Sequence, residues 1–70
     1  MHKTSNFPER LKELRTKKKL SHIELGEKIG VNGSSISHWE NGNVSPSLEN
    51  VEKLVEFFGV TLHYLTGWDE

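Results

Sequence analysis

The 70-residue chain is long enough for one domain with a single small hydrophobic core. It has no cysteine, which excludes disulfides and thiolate metal sites and fits a reducing, cytosolic setting. Its apolar runs are too short for a membrane span, and the N-terminal segment MHKTSNFPER lacks the apolar stretch of a secretory signal.

The net charge of −1 hides an uneven distribution. Residues 1–20 contain seven basic residues against two acidic ones, a local charge of +5. Residues 21–70 contain two basic residues against eight acidic ones, a local charge of −6. A dedicated DNA-binding domain usually carries a larger basic surface than this. Only the N-terminal segment could therefore supply strong attraction to phosphate.

The first helix is predicted to begin after Asn6. This residue and Glu9, three positions later, form a capping-box pattern, in which each side chain satisfies a backbone amide of the other. Leu11 and Leu14 then mark an apolar face, so the helix is predicted to run to about Lys18.

The second and third helices lie close together in the sequence. Ser21 and Glu24 form another capping box, and a helix follows to Ile29, where Gly30 suits a left-handed end. Asn32 is placed to cap a third helix, which ends at the Asn-Gly pair of residues 41–42.

Two more helices are predicted after the loop NVSPS. Ser47 caps the fourth, which Gly59 ends, and its apolar residues recur with a period of 3.6: Leu48, Val51, Leu54, Val55 and Phe58. Thr61 caps a short fifth helix, whose apolar residues and end are Leu62, Leu65 and Gly67. No segment alternates with period two, so the sequence predicts an all-α domain over residues 1–70, with its core at about 7–67.

Helices 2 and 3 are predicted to form a helix-turn-helix. Only residues 30–32 join them, so the two helices must cross steeply. Gly26 is small where helix 3 must approach helix 2, and Gly30 gives the turn its backbone freedom. The residues expected to face the shared core are all apolar: Leu25, Ile29, Val31, Ile36 and Trp39.

The chain resembles Cro/repressor-type (XRE-like) helix-turn-helix proteins, which include lambdoid phage repressors. The matching stretches are RLKELRTKKKLSHIELGEKIGV, SSISHWENG, PSLENVEKLVEFFGV and TLHYLTG, which cover about residues 7–67. The resemblance implies a compact five-helix domain that binds operator DNA, usually as a dimer. It also implies a buried ion pair between Arg15 and Glu40. Glu40 would need such a partner in any case, since it follows Trp39 at the inner end of helix 3.

The resemblance also implies a binding surface. By position, the base-facing residues are Asn32, Gly33, Ser34, Ser37 and His38, and the phosphate contacts are Ser21, His22 and Asn41. The sequence departs from the family here, since many members have Gln at position 22 and Arg, Lys or Gln at positions 33 and 34. Residues 21–45 carry one lysine against three glutamates. The helix-turn-helix frame is kept, while much of the expected attraction to DNA is missing.

Two functions remain open on the sequence. The first is a sequence-specific transcriptional regulator of a phage or mobile-element switch, with helix 3 in the major groove. The alternative is an antirepressor-like module that docks on a partner repressor and blocks its DNA binding. The four histidines lack metal-ligand spacing, and no nucleophile motif is present, so neither a cofactor nor catalysis is expected. The last helix and Trp68 are a candidate surface for a homodimer.

Overall fold

The computed structural model describes residues 7–66 of the chain. In this part of the chain five helices follow one another with no strand between them: α1 (Phe7–Lys17), α2 (His22–Ile29), α3 (Gly33–Asn41), α4 (Leu48–Phe58) and α5 (Leu62–Thr66). The all-α, five-helix prediction is confirmed, and α1 ends one residue before the predicted boundary. The predicted cap at Asn6, the stop at Gly67 and Trp68 lie outside the described residues.

Each helix contributes one fully buried side chain to a common core. These side chains are Leu11, Leu25, Ile36, Leu54 and Leu65, in the order α1 to α5. Burying an aliphatic side chain of this size contributes about 1.5–3 kcal/mol, so every helix is anchored independently to the centre. Trp39 and Ile29 are also buried, which confirms the predicted inner faces of α2 and α3.

Local capping fixes where most of these helices begin. The capping box at Ser21 and Glu24 forms in both directions, with N···O distances of 3.0 and 2.8 Å. The hydroxyls of Ser47 and Thr61 each accept a hydrogen bond from the amide three residues later, at 3.2 and 3.0 Å. The starts of α2, α4 and α5 were therefore predicted correctly from short-range chemistry.

The structure corrects three details of the sequence interpretation. Asn32 occupies the N-cap position of α3, but its side chain makes no capping hydrogen bond. Leu48 and Leu62 follow the apolar pattern of their helices, yet they are 64% and 45% exposed. Each is the first residue of its helix, and there the periodicity continues beyond the edge of the core.

Candidate nucleic-acid interface

The turn between α2 and α3 is held by close backbone contacts. Gly30 has a left-handed φ of +83°, and the amides of Gly30 and Val31 both donate to the carbonyl oxygen of Gly26, at 2.8 and 2.9 Å. A Cβ on Gly26 would lie against the carbonyl oxygen of Val31 and 3.1 Å from the amide nitrogen of Gly33. The predicted need for a small residue at position 26 is therefore confirmed.

Gly33 marks a second close approach between the same two helices. A Cβ built on Gly33 would lie 2.9 Å from Cγ1 of Ile23 and 3.0 Å from its Cα and backbone nitrogen. Such distances are tighter than ordinary van der Waals contacts, so Ile23 would have to shift by a few tenths of an ångström to admit a Cβ. The space beside the Gly33 backbone is therefore occupied, on the side where a Cβ would be, by Ile23 of the same chain.

A buried ion pair connects α3 to α1. The Nε and Nη2 atoms of Arg15 lie 2.6 and 3.0 Å from the two carboxylate oxygens of Glu40, and Nη1 donates to the carbonyl oxygen of Leu20 at 2.8 Å. Both side chains are at least nine-tenths buried. The hydrogen bonds that Arg15 donates to Glu40 raise the pKa of Arg15 above its usual range, although burial acts in the opposite direction. The predicted pair is confirmed.

His22 joins this ion pair from the first turn of α2. Its Nε2 atom lies 3.1 Å from Oε1 of Glu40, while 40% of its side chain stays exposed. The carboxylate of Glu40 therefore links α1, α2 and α3 through hydrogen bonds. His22 was predicted as a phosphate contact, and the structure gives it an intramolecular partner that fixes one edge of the ring.

The other predicted contact residues lie on the outside of the helix-turn-helix. The outer face of α3 consists of residues spaced i, i+3, i+4 and i+7, on the side of the helix away from its buried residues: Ser34, Ser37, His38 and Asn41. All but the half-buried Ser37 are exposed. Ser21 and Asn32 are also exposed, at the starts of α2 and α3. The fold thus brings the predicted side chains to one region, with small polar groups and the two imidazoles of His22 and His38.

The interface lacks strong positive charge. Between residues 21 and 45 only Lys28 is basic, and α3 contains neither lysine nor arginine. The exposed lysines of the described chain lie mainly on and just after α1: Lys12, Lys17, Lys18 and Lys19. Electrostatic attraction to phosphate would therefore come from the α1 region rather than from the helix-turn-helix itself.

One residue of this region was missed in the sequence. Ile23 is 66% exposed and lies beside the first residue of α3. Its exposure could have been predicted from its position in the first turn of α2. Leu25 and Ile29 are four residues apart on the buried face, and Ile23 does not share that spacing.

Neither a metal-binding cluster nor a membrane-spanning helix is found in the part of the chain that the structure describes. Residues 7–66 contain no group of three or more histidine or acidic side chains that could hold a metal ion. No helix among them has the length and apolar character needed to cross a membrane. Two closely packed helices, a three-residue turn and a polar outer face together define a helix-turn-helix domain.

Comparison with known proteins agrees with this class. The chain belongs to the helix-turn-helix family, whose profile matches residues 11–65. It is 36% identical over 64 residues to the cryptic phage CTXphi transcriptional repressor RstR of Vibrio cholerae, covering 91% of this chain and 58% of RstR. It is 38% identical over 64 residues to the transcriptional activator BcrR of Enterococcus faecalis, covering 91% of this chain and 31% of BcrR. The chain thus spans only a third to just over half of these two relatives.

A solved structure extends the comparison. The P22 c2 repressor, determined in complex with a synthetic operator, superposes with a TM-score of 0.83 at 32% identity, covering 90% of this chain and 96% of that one. The resemblance to repressor-type proteins is therefore confirmed. These relatives are transcriptional regulators and not enzymes.

Proposed function

We propose that this chain is a sequence-specific DNA-binding regulator of a phage or mobile-element switch, which acts in the bacterial cytoplasm. The outer face of α3 carries the proposal, since it presents polar side chains while the inner face is fixed by Ile36, Trp39 and the Glu40 ion pair. A helix held in this way fits the major groove, where base edges are read. The repressor names among its relatives support the same function.

The roles of the individual residues follow from their positions. Ser34, Ser37 and His38 face the bases, with Asn32 and Gly33 at the start of α3 close to them. Ser21, His22 and Asn41 contact phosphates on either side. None of these side chains can make the bidentate arginine–guanine pair, which discriminates bases by about 1–3 kcal/mol. Affinity therefore depends strongly on phosphate contacts and falls steeply with salt.

The test is a selection of duplexes from a random DNA pool, followed by binding titrations at several salt concentrations. We expect one enriched sequence, with an affinity that decreases steeply as salt increases. Ser34→Arg should change which duplex is enriched, because Ser34 is exposed and a long side chain there reaches a base edge. Failure to enrich any duplex, with folded protein, would contradict the proposal.

A second function is supported by the charge of the interface. The outer face of α3 has no lysine or arginine, and residues 21–45 carry a net charge of −2. We propose as the alternative an antirepressor, which uses this small, polar face to dock on a partner repressor and blocks its DNA binding. Titration of the chain into a repressor–operator mixture distinguishes the two. Release of operator by the chain, together with no DNA binding of its own, would favour the antirepressor.

We also propose that the chain forms a homodimer through α5 and its surroundings. A groove of about 400 Å³, here called the α4–α5 groove, is lined by the following residues: Pro46, Leu48, Val51, Leu62, His63 and Thr66. Leu48 and Leu62 are 64% and 45% exposed there, and a second copy would cover them. Trp68, the other residue of the predicted dimer surface, lies outside the described residues.

Sedimentation velocity at increasing concentration tests the dimer. Leu48→Asp should weaken self-association without unfolding α4, since an acidic residue is favourable in the first turn of a helix. Ile23→Asp is the matched control, because it charges an equally exposed apolar residue outside the α4–α5 groove. Equal weakening by both variants, or a wild-type monomer at every concentration, would contradict the proposed surface.

A further inference from the structure

We infer that Ile23 reads the 5-methyl group of a thymine in the major groove, an inference that rests on the proposed DNA-binding function. Ile23 is 66% exposed, the most exposed large apolar side chain of residues 7–66. It lies on α2, but it packs against Gly33, the first residue of α3. The N-terminal residues of a recognition helix are those that meet base edges.

The contact with Gly33 shows that Ile23 occupies the volume that a side chain at position 33 would take. Residue 33 occupies a base-facing position, and a Cβ there would lie 2.9 Å from Cγ1 of Ile23. Ile23 and a side chain at position 33 therefore compete for one volume. In this chain α2 supplies an apolar branch at the point where α3 has none, so the start of the recognition helix presents a hydrophobic group.

The chemistry of this group determines what it can recognise. An isoleucine side chain has no hydrogen-bonding atom, so it cannot distinguish the donors and acceptors of base edges. The major groove offers one apolar feature, the methyl group of thymine, and aliphatic contact with it is an established means of direct readout. Ser34, which follows Gly33 in the chain, is exposed but short, so it leaves space for this contact.

The size of the effect follows from the surface that the contact removes from water. Burying one methyl-sized group against an aliphatic side chain changes affinity about fourfold. This is smaller than the effect of a bidentate hydrogen-bonded pair, and it should be confined to one thymine in each half-site. Most of the other base-facing residues of this chain are short. We therefore expect the contact between Ile23 and the methyl group to contribute a measurable part of its sequence preference.

The experiment replaces thymine by deoxyuridine, which lacks only the methyl group. The probe is the duplex enriched from the random pool, with each thymine replaced in turn, and binding is measured for the wild type and Ile23→Ala. We expect one substitution to weaken wild-type binding about fourfold. Ile23→Ala should bind the thymine and deoxyuridine duplexes equally. Ile23→Val, which keeps part of the side chain, should show an intermediate ratio.

Val44→Ala is the matched control, since Val44 is 52% exposed but lies outside both the helix-turn-helix and the α4–α5 groove. It should keep the wild-type ratio between the two duplexes, and thermal melting should show that all variants fold. The inference is overturned if Ile23→Ala keeps the wild-type ratio, because another group then touches the methyl. It is also overturned if no thymine-to-deoxyuridine replacement weakens wild-type binding. The same holds if Ile23→Ala lowers the affinity for both duplexes by the same factor, since the preference for thymine then remains.

Failure of the DNA-binding function itself gives a different result. In that case no duplex is enriched by the wild-type protein, so no methyl effect exists at any position. If Ile23→Ala then reduces binding to a partner repressor, the exposed isoleucine belongs to a protein interface, and the methyl-reading role is excluded.

Discussion

The helix-turn-helix and the α4–α5 groove differ in how completely the chain satisfies its own surface. In the helix-turn-helix, Gly26 and Gly33 have backbone or side-chain atoms of the same chain where a Cβ would be, and the Glu40 carboxylate has partners from two other helices. In the α4–α5 groove, Leu48 and Leu62 remain exposed. Apart from Ile23, the helix-turn-helix covers most of its apolar surface within one chain, whereas the groove leaves two leucines exposed. We therefore expect the helix-turn-helix to be the rigid region of the molecule and the α4–α5 groove to be the less constrained one.

Removal of the Glu40 carboxylate should have the largest effect on the rigid region. Glu40→Ala leaves Arg15 buried without its partner, and breaking a buried pair on one side costs about 3–5 kcal/mol. Urea denaturation measures the loss. Glu27→Ala, which removes an exposed carboxylate of α2, is the control and should change stability by about 0.5 kcal/mol or less. Equal midpoints for the two variants would mean that the pair does not stabilise the fold.

A methyl group at Gly33 should have the next largest effect. Gly33→Ala places a Cβ against the backbone of Ile23, and overpacking of this kind costs about 1–3 kcal/mol. Ser34→Ala, at the next position, removes only an exposed hydroxyl and serves as the control. Thermal melts of both variants compare them directly. A Gly33→Ala protein as stable as the control would show that α3 can move away from α2, so that the region is less rigid than described.

A stabilising change is expected in the turn between α1 and α2. Lys19 has a left-handed φ of +59°, which costs a residue with a side chain roughly 1–2 kcal/mol relative to glycine. Greater chain entropy of glycine in the unfolded state offsets part of this difference. Lys19→Gly should therefore raise stability by up to about 1 kcal/mol over Lys19→Ala, which loses the same charge and keeps the strain. The reverse order in urea midpoints would contradict the strained backbone.

Truncation in the α4–α5 groove should have the smallest effect on the isolated chain. Leu48→Ala removes a large apolar side chain, but Leu48 is 64% exposed, so we expect a change of about 0.5 kcal/mol or less at low concentration. At high concentration, where the proposed dimer forms, the same variant should melt below the wild type. A loss of several kcal/mol in dilute solution would instead place Leu48 in the core and remove the contrast between the two regions.

The sequence by itself determined the order of the helices and most of their ends. Capping at Ser21, Ser47 and Thr61 depends on atoms three residues apart, so no knowledge of the fold was needed to predict it. The spacing of apolar residues identified the inner faces of α2 and α3, because this spacing is also a property of residues close together in the sequence. The pair of Arg15 and Glu40 spans 25 residues and was predicted from the resemblance to a family, together with the argument that a buried carboxylate needs a partner.

The tertiary structure alone decided what the surface of the helix-turn-helix presents. Gly33 looked like a base-reading position without a side chain, and only the crossing of α2 over α3 shows that Ile23 fills its space. His22 was predicted only as a phosphate contact, and the structure adds a contact of its Nε2 atom with the carboxylate of Glu40, 18 residues away. Leu48 fitted the apolar period and is nevertheless exposed. Periodicity reports which face of a helix points inward, whereas the crossing angles and the extent of the core decide which side chains on that face are covered.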